Sequence, residues 1–250
     1  IYHAQSGHAG SSLSCVDLIT SLKFSQMQWQ SEIDRKNTDV FILSKGHAIP
    51  AWYATLMVAG ELDRAFIKKL RKIDSPLQGH PDRMHYHGID VSTGALGQGL
   101  SVGIGRALAK QKKKQDSWVY VILGDGECQE GQIWEAFLYS GYYKVYNLIV
   151  MIDYNKSQND GDLSESIDLA PLHKKLKTFH LNVKEIDGHS LQEIEGAIKS
   201  AKKQREKPTV IIAHTQKGFI KSGECLMGGS HSGSLTEKDY QMALSCLAKK

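Results

Sequence analysis

The sequence predicts an α/β fold: a doubly wound, mainly parallel sheet flanked by helices. Three observations predict it. Short β-rich apolar runs, Trp118–Leu123 (WVYVIL), Leu148–Asp153 (LIVMID) and Thr209–Ala213 (TVIIA), read as strands. They are continuous rather than alternating, as strands covered on both faces must be. Helical patterns lie between them, and strands alternating with helices favour a parallel sheet.

Taken in chain order, the sequence opens at Ile1, without Met, in what reads as a helix, so a short preceding segment is expected. Gln98–Lys112 carries small and apolar residues suited to a closely packed helix. Ile133–Lys144 and Leu191–Gln204 place apolar residues at helical spacing. Ser190 followed by Glu193 forms a capping-box pattern that fixes the start of the latter. Asn182–Ile186 is a weaker fourth strand, and Tyr240–Lys250 reads as a closing amphipathic helix. No repeat or low-complexity linker interrupts the chain. Residues 1–250 are therefore read as one domain, and 41% hydrophobic residues suffice for a sizeable core.

The formal net charge is +4, from 31 basic and 27 acidic residues, a mild excess spread along the chain. Its one dense run, Lys110 to Lys114 broken by Gln111, follows an apolar helix and reads as a solvated helix end. No nucleic-acid-binding motif accompanies it, so no nucleic-acid partner is expected. The four cysteines (Cys15, Cys128, Cys225 and Cys246) show no C-x-x-C or metal-ligand spacing, which favours reduced thiols in a cytoplasmic protein. No apolar run is long enough to cross a bilayer, so no membrane association is expected.

In doubly wound sheets, ligands sit beyond the carboxyl ends of the strands. Two such ends carry the strongest signal. WVYVIL runs into Gly124-Asp125-Gly126-Glu127, and LIVMID runs into Tyr154-Asn155-Lys156-Ser157. A diphosphate held with a hard divalent cation needs close backbone approach, which glycine permits. The cation needs oxygen ligands: a carboxylate, an amide carbonyl and a main-chain carbonyl, completed by diphosphate oxygens. A lone Gly-Asp-Gly is also a common turn, and Asn155-Lys156-Ser157 matches a glycosylation sequon, although nothing marks the chain as secreted. Four histidines also stand beside glycine or serine, as loops converging on a polar pocket would place them: His8, His47, His80 and His231. Taken singly, each reads as a loop or capping histidine. His85, His87, His173, His180 and His189 suggest no role, and Asp187-Gly188-His189 reads as a turn.

GDGECQEGQIWEA followed by LIVMIDYNKSQNDG resembles the thiamine diphosphate signature of transketolases. The resemblance implies the thiamine-diphosphate-binding fold, as its diphosphate-binding domain. It implies a metal held by the side chains of Asp125 and Asn155 and the main-chain carbonyl of Ser157. That metal would be Mg2+, with Ca2+ or Mn2+ able to substitute. It gives cofactor contacts to Gly124, Asp125, Gly126, Glu127 and Asn155, and places Glu130 and Glu135 toward a subunit contact. The four histidines match transketolase motifs in order, which implies that they line the cofactor and substrate channel and act in catalysis, with His47 and His231 also on the cofactor. Ser92-Thr93-Gly94-Ala95-Leu96-Gly97-Gln98-Gly99 is a further match, with Gly94 and Leu96 near the cofactor and alanine where relatives carry proline at Ala95. Lys217 matches a loop near the diphosphate, though a surface lysine reads as well.

In transketolases the glutamate that activates the cofactor's aminopyrimidine lies on a second, pyrimidine-binding domain, with the arginines that grip sugar phosphates. The chain has no room for that domain after His231. The resemblance thus implies one subunit of a split enzyme, in an α2β2 assembly with a partner carrying the pyrimidine-binding domain; a trimmed longer chain is the competing reading. The implied reaction moves a two-carbon ketol unit from a ketose phosphate to an aldose phosphate through a thiamine-bound dihydroxyethyl carbanion. The alternatives are a deoxyxylulose-phosphate synthase-like or 2-oxoacid dehydrogenase E1 alpha-like subunit, or a non-catalytic cofactor-binding subunit.

Overall fold

The computed structural model describes residues 1–29, 37–158, 161–221, 224–225 and 233–248. Its central sheet has five strands: β1 (Val40–Leu43), β2 (Val119–Gly124), β3 (Leu148–Tyr154), β4 (Asn182–Asp187) and β5 (Thr209–His214). Their spatial order is β1-β2-β3-β5-β4, and every pairing is parallel. Helices α1 (Ala9–Ser21), α2 (Ile49–Val58), α3 (Gln98–Lys112), α4 (Gly131–Tyr142), α5 (Leu172–Thr178), α6 (Leu191–Lys203) and α7 (Glu237–Ala248) accompany it.

Alternate strand residues face opposite layers. Phe41, Tyr120, Ile122, Ile149, Met151 and Ile211 pack under α1, α2 and α6. Ile42, Val121, Leu123, Val150, Ile152 and Val210 pack under α3, α4 and α5. That two-sided burial explains the continuous apolar runs, because both faces of each inner strand need apolar side chains. Each fully buried aliphatic side chain contributes about 1.5–3 kcal/mol. The small residues of α3 bring its backbone onto the sheet: a β-carbon at Gly103 would lie 2.6 Å from the Val121 methyl.

Several expectations shift. The first eight residues form turns, and helix begins only at Ala9, with His8 at its N-cap. The helix expected at Ile133–Lys144 lies at Gly131–Tyr142, and α7 starts three residues before Tyr240. Residues 249–250, the end of that expected helix, lie outside the described residues. Edge strand β1 and helices α2 and α5 have no counterpart in the sequence reading. The capping box is half made: Ser190 accepts from the Glu193 amide at 3.3 Å, but the Glu193 carboxylate accepts from Asp187 N at 2.9 Å. The lysine run is not wholly solvated, because Lys110 is buried and donates to Thr38 O at 2.8 Å and Ser117 Oγ at 2.9 Å. Cys15, Cys128 and Cys246 are buried, and the first two are free thiols. Among the described residues, no helix is long and apolar enough to cross a membrane.

Candidate functional site

Because all five strands run the same way, their carboxyl ends share one edge of the sheet. The register sets Gly124 beside Asp153 and Asp153 beside Ala213, so the loops after β2, β3 and β5 leave at one level. The loop after β1 and the first turns of α1 close over them. A cavity of about 270 Å3 lies there, lined by Ser11, Lys45, His47, Leu96, Gly124, Asp125, Gly126, Glu127, Gln129, Glu130, Asn155, Ser157 and Gln158.

The structure thus brings together His47, Leu96, Gly124, Asp125, Gly126, Glu127, Asn155 and Ser157, with exposed Glu130 also in the wall. Outside the lining, His8 stands against His47, and His80 stands against Gly94, which itself does not line the cavity. The His8 and His47 rings lie 5.0 Å apart, and the His80 ring packs 3.4 Å from where a β-carbon would stand on Gly94. Glu135 is not in this cavity; it is exposed on α4, in a shallow groove with Ser101, Ile104 and Tyr139. His231 lies outside the described residues.

Local hydrogen bonds hold the wall. Asp125 accepts from the amides of Gly126, at 2.8 Å, and Lys156. The Glu127 carboxylate accepts from Ser44 Oγ, Gly97 N at 2.8 Å and Gly124 N at 3.1 Å, fastening three loops to one side chain. Gly97 has φ of 85°, the left-handed conformation that glycine adopts without a steric cost. Thr93 ties the same turn to the end of β1 by donating to Leu43 O at 2.6 Å.

Beneath the cavity lies a charged network that the sequence reading missed. Asp153 and Lys45 are fully buried and form an ion pair. Asp153 also accepts from Ser14 Oγ at 2.6 Å, Thr215 Oγ1 and Asn155 Nδ2 at 3.3 Å. A carboxylate closing an otherwise apolar strand was the available signal, since a buried charge requires a partner. Lys217, read equally well as a surface lysine, is 4% exposed and donates to both Ser157 O and Ser157 Oγ at 2.9 Å.

The electrostatics follow from burial. Burial, then the neighbouring Asp153 charge, pushes the Asp125 carboxyl up to about 6, against the pull of two amides and Lys45. Burial also works against an ionised Asp153, but Lys45 and three hydrogen bonds outweigh it and hold that carboxyl below its usual range. Burial, Arg71 and His80 bring His8 down to about 4, and burial with Arg71 lowers His80, so both imidazoles are neutral near pH 7. Burial pushes the Cys15 thiol up to about 12, which leaves it inert as a nucleophile.

The residues fit a diphosphate with a hard cation. Asp125, Asn155 and Ser157, each bearing an oxygen able to ligate a cation, line the same cavity. Among the described residues, no three His, Cys, Asp or Glu gather as a metal cage. A cation here has one protein carboxylate and needs further oxygens, which a diphosphate supplies. Ser11 Oγ is buried in the cavity wall without a hydrogen-bond partner, a donor suited to a phosphate oxygen.

Comparison with known proteins agrees with the geometry. The family model for the transketolase thiamine diphosphate binding domain matches residues 1–247. The chain is 39% identical to the 6-deoxy-6-sulfo-D-fructose transketolase subunit SqwG of Clostridium sp. (strain MSTE9), over 98% of this chain and 89% of that one. It is 37% identical to an apulose-4-phosphate transketolase subunit of Phocaeicola vulgatus, over 98% of this chain and 87% of that one. A solved transketolase variant from Pichia stipitis superposes with a TM-score of 0.92 at 31% identity, covering 98% of this chain. The chain spans only 38% of that protein's length. These relatives favour the transketolase reading over the other thiamine enzymes, and the chain belongs to the transketolase family, carrying its thiamine diphosphate binding domain.

Proposed function

We propose that this chain is the diphosphate-holding subunit of a split transketolase, moving a two-carbon ketol unit from a ketose phosphate to an aldose phosphate. The observation that carries the reading is the meeting of Asp125, Asn155 and Ser157 in one cavity, beside His47 and next to His8 and His80. Residues 1–250 then act as one diphosphate-binding domain. A partner subunit supplies the pyrimidine-binding domain, in an α2β2 assembly. Two relatives named as transketolase subunits, covered over most of their length, support that arrangement.

When bound, thiamine diphosphate supplies the nucleophilic carbon and the electron sink for breaking and making the C–C bond. This chain's residues position it. Asp125 Oδ, Asn155 Oδ1 and Ser157 O hold Mg2+, with Ca2+ or Mn2+ as substitutes, while Gly124, Gly126, Gly94 and Leu96 shape the wall against the cofactor. Glu127 braces that wall. Neutral His8 and His80 accept or donate single hydrogen bonds to sugar hydroxyls without adding charge to the channel. His47 and His231 are proposed to serve both cofactor and substrate. Glu130 and Glu135 face the subunit contact, a placement supported by their exposure.

The test is a tagged pull-down from the native source with thiamine diphosphate and Mg2+, with co-purified chains read by mass spectrometry and the complex assayed for ketol transfer. A stoichiometric partner with a pyrimidine-binding domain and measurable transfer is expected. Transfer by this chain alone, or a cofactor-loaded complex without transfer, would overturn the proposal.

A further inference from the structure

The cation site places an unusual demand on Asn155. Its amide has two ends of almost equal shape, an oxygen that attracts a cation and an NH2 that repels one. Asn155 Oδ1 accepts from Ser157 N at 3.1 Å. Its Nδ2 donates to Asp153 Oδ2 at 3.3 Å. An ionised carboxylate only accepts hydrogen bonds, and a backbone amide only donates them. Both neighbours therefore select the same orientation, and Oδ1 keeps a second lone pair for the cavity.

We propose that Asp153 is a positioning residue that fixes the Asn155 amide with its oxygen toward the cation. The inference rests on the assignment of Asn155 as a metal ligand. Asp153 is placed for this task from several sides. Ser14 on α1, Lys45 after β1 and Thr215 after β5 all donate to its carboxylate, so it cannot turn away. Lys45, pinned also by Ser11 O at 3.2 Å, balances the charge of a carboxylate that is itself fully buried. The buried pair thus acts as a fixed acceptor aimed at one amide hydrogen. Groups that orient metal ligands from behind typically alter metal affinity about 10–100-fold when removed.

The test uses the full chain in its assembled complex, with Mn2+ and thiamine diphosphate as the probe and Mn2+ affinity read by electron paramagnetic resonance. Asp153→Asn presents both an oxygen and an NH2 to Asn155 and removes its half of the selection, leaving the Ser157 amide to act alone, so Mn2+ affinity falls roughly 10–100-fold. In an Asn155→Asp background both ends of the ligand are oxygens, so the same Asp153 substitution causes no loss. A merely structural role would lower affinity in both backgrounds, and that result would overturn the proposal. Asp153→Asn leaves Lys45 buried without its partner. The Lys45→Met/Asp153→Asn pair removes both buried charges together and is expected to show the same loss of affinity. Asn155→Ala and Asp125→Ala separate the two levels of the argument. If they leave Mn2+ affinity unchanged, the metal-site reading itself fails. If they abolish binding while Asp153→Asn leaves it intact, only the positioning role fails.

Discussion

Asp125→Asn is expected to stabilise the metal-free protein while destroying its metal site. The Asp125 carboxyl is 2% exposed and titrates near 6 rather than 3.8. A raised folded-state value favours the protonated acid. The stability it contributes is fully present below pH 3.8 and is lost as pH rises through 6. At pH 8 the loss is about 3 kcal/mol, from a shift of about two units at 1.36 kcal/mol each. At pH 5, where most of the folded molecules are still protonated, it is about half that. Asparagine carries no charge to desolvate, but keeps one acceptor oxygen where Asp125 receives both Gly126 N and Lys156 N. One lost hydrogen bond costs about 1–2 kcal/mol. The net expectation at pH 8 is a gain of about 1–2 kcal/mol, or roughly 2–8 °C in Tm for a chain of this size. The assay is thermal unfolding in EDTA at pH 5 and pH 8, repeated with Mg2+ and thiamine diphosphate. The wild type should overtake the variant once both ligands are present. A lower Tm for the variant at pH 8 in EDTA, or a variant-to-wild-type difference unchanged between the two pH values, would refute the reasoning.

Other expectations follow from the same structure. Asp125→Ala should abolish metal-dependent binding of thiamine diphosphate in the assembled complex, and calorimetry showing unchanged affinity would sink the assignment. The His8 imidazole resonances should titrate near pH 4, because burial and the cations around it depress the group; a midpoint near 6.5 would contradict the picture of a neutral channel. Gly141→Ala should destabilise the fold by about 1–3 kcal/mol or more, since a β-carbon there would overlap the Phe179 carbonyl oxygen; denaturant unfolding reads it directly. Ser190→Ala should cost about 1 kcal/mol through loss of the cap on the Glu193 amide, measured the same way.

The parts of the fold legible in the sequence were those with one dominant local signal. The central strands β2, β3 and β5 announced themselves because burial on both faces demands unbroken apolar runs. Helix α3 matched residue for residue because its glycines and small side chains form a continuous packing face. Edge strand β1 escaped because four residues, VFIL, carry no periodicity of their own. The N-terminal helix was expected from Ile1, but the bounds of α1 were hidden because its buried face includes Ser11, Ser12 and Ser14, whose polarity blurs the helical pattern. At the site, the two strand-end loops were readable because polar, oxygen-bearing residues follow two buried apolar strands directly, Gly124-Asp125-Gly126 after β2 and Asn155-Lys156-Ser157 after β3. Lys45, Asp153 and Ser11 were not readable as a group, since only the fold brings the chain segments after β1, at the end of β3 and in α1 together. The surface reading of Lys217 failed for a related reason: nothing local shows that its stem is covered and its ammonium bound to Ser157.

The most direct measurement is an anomalous diffraction map of the assembled complex with Mn2+ and thiamine diphosphate. One peak is expected at roughly 2.0–2.6 Å, the range that oxygen ligands keep from hard divalent cations, from an Asp125 carboxylate oxygen, Asn155 Oδ1 and Ser157 O, with the Lys217 ammonium moved off the Ser157 carbonyl. A cofactor bound with its metal on other residues, or a peak with the Asn155 amide nitrogen facing it, would contradict the account.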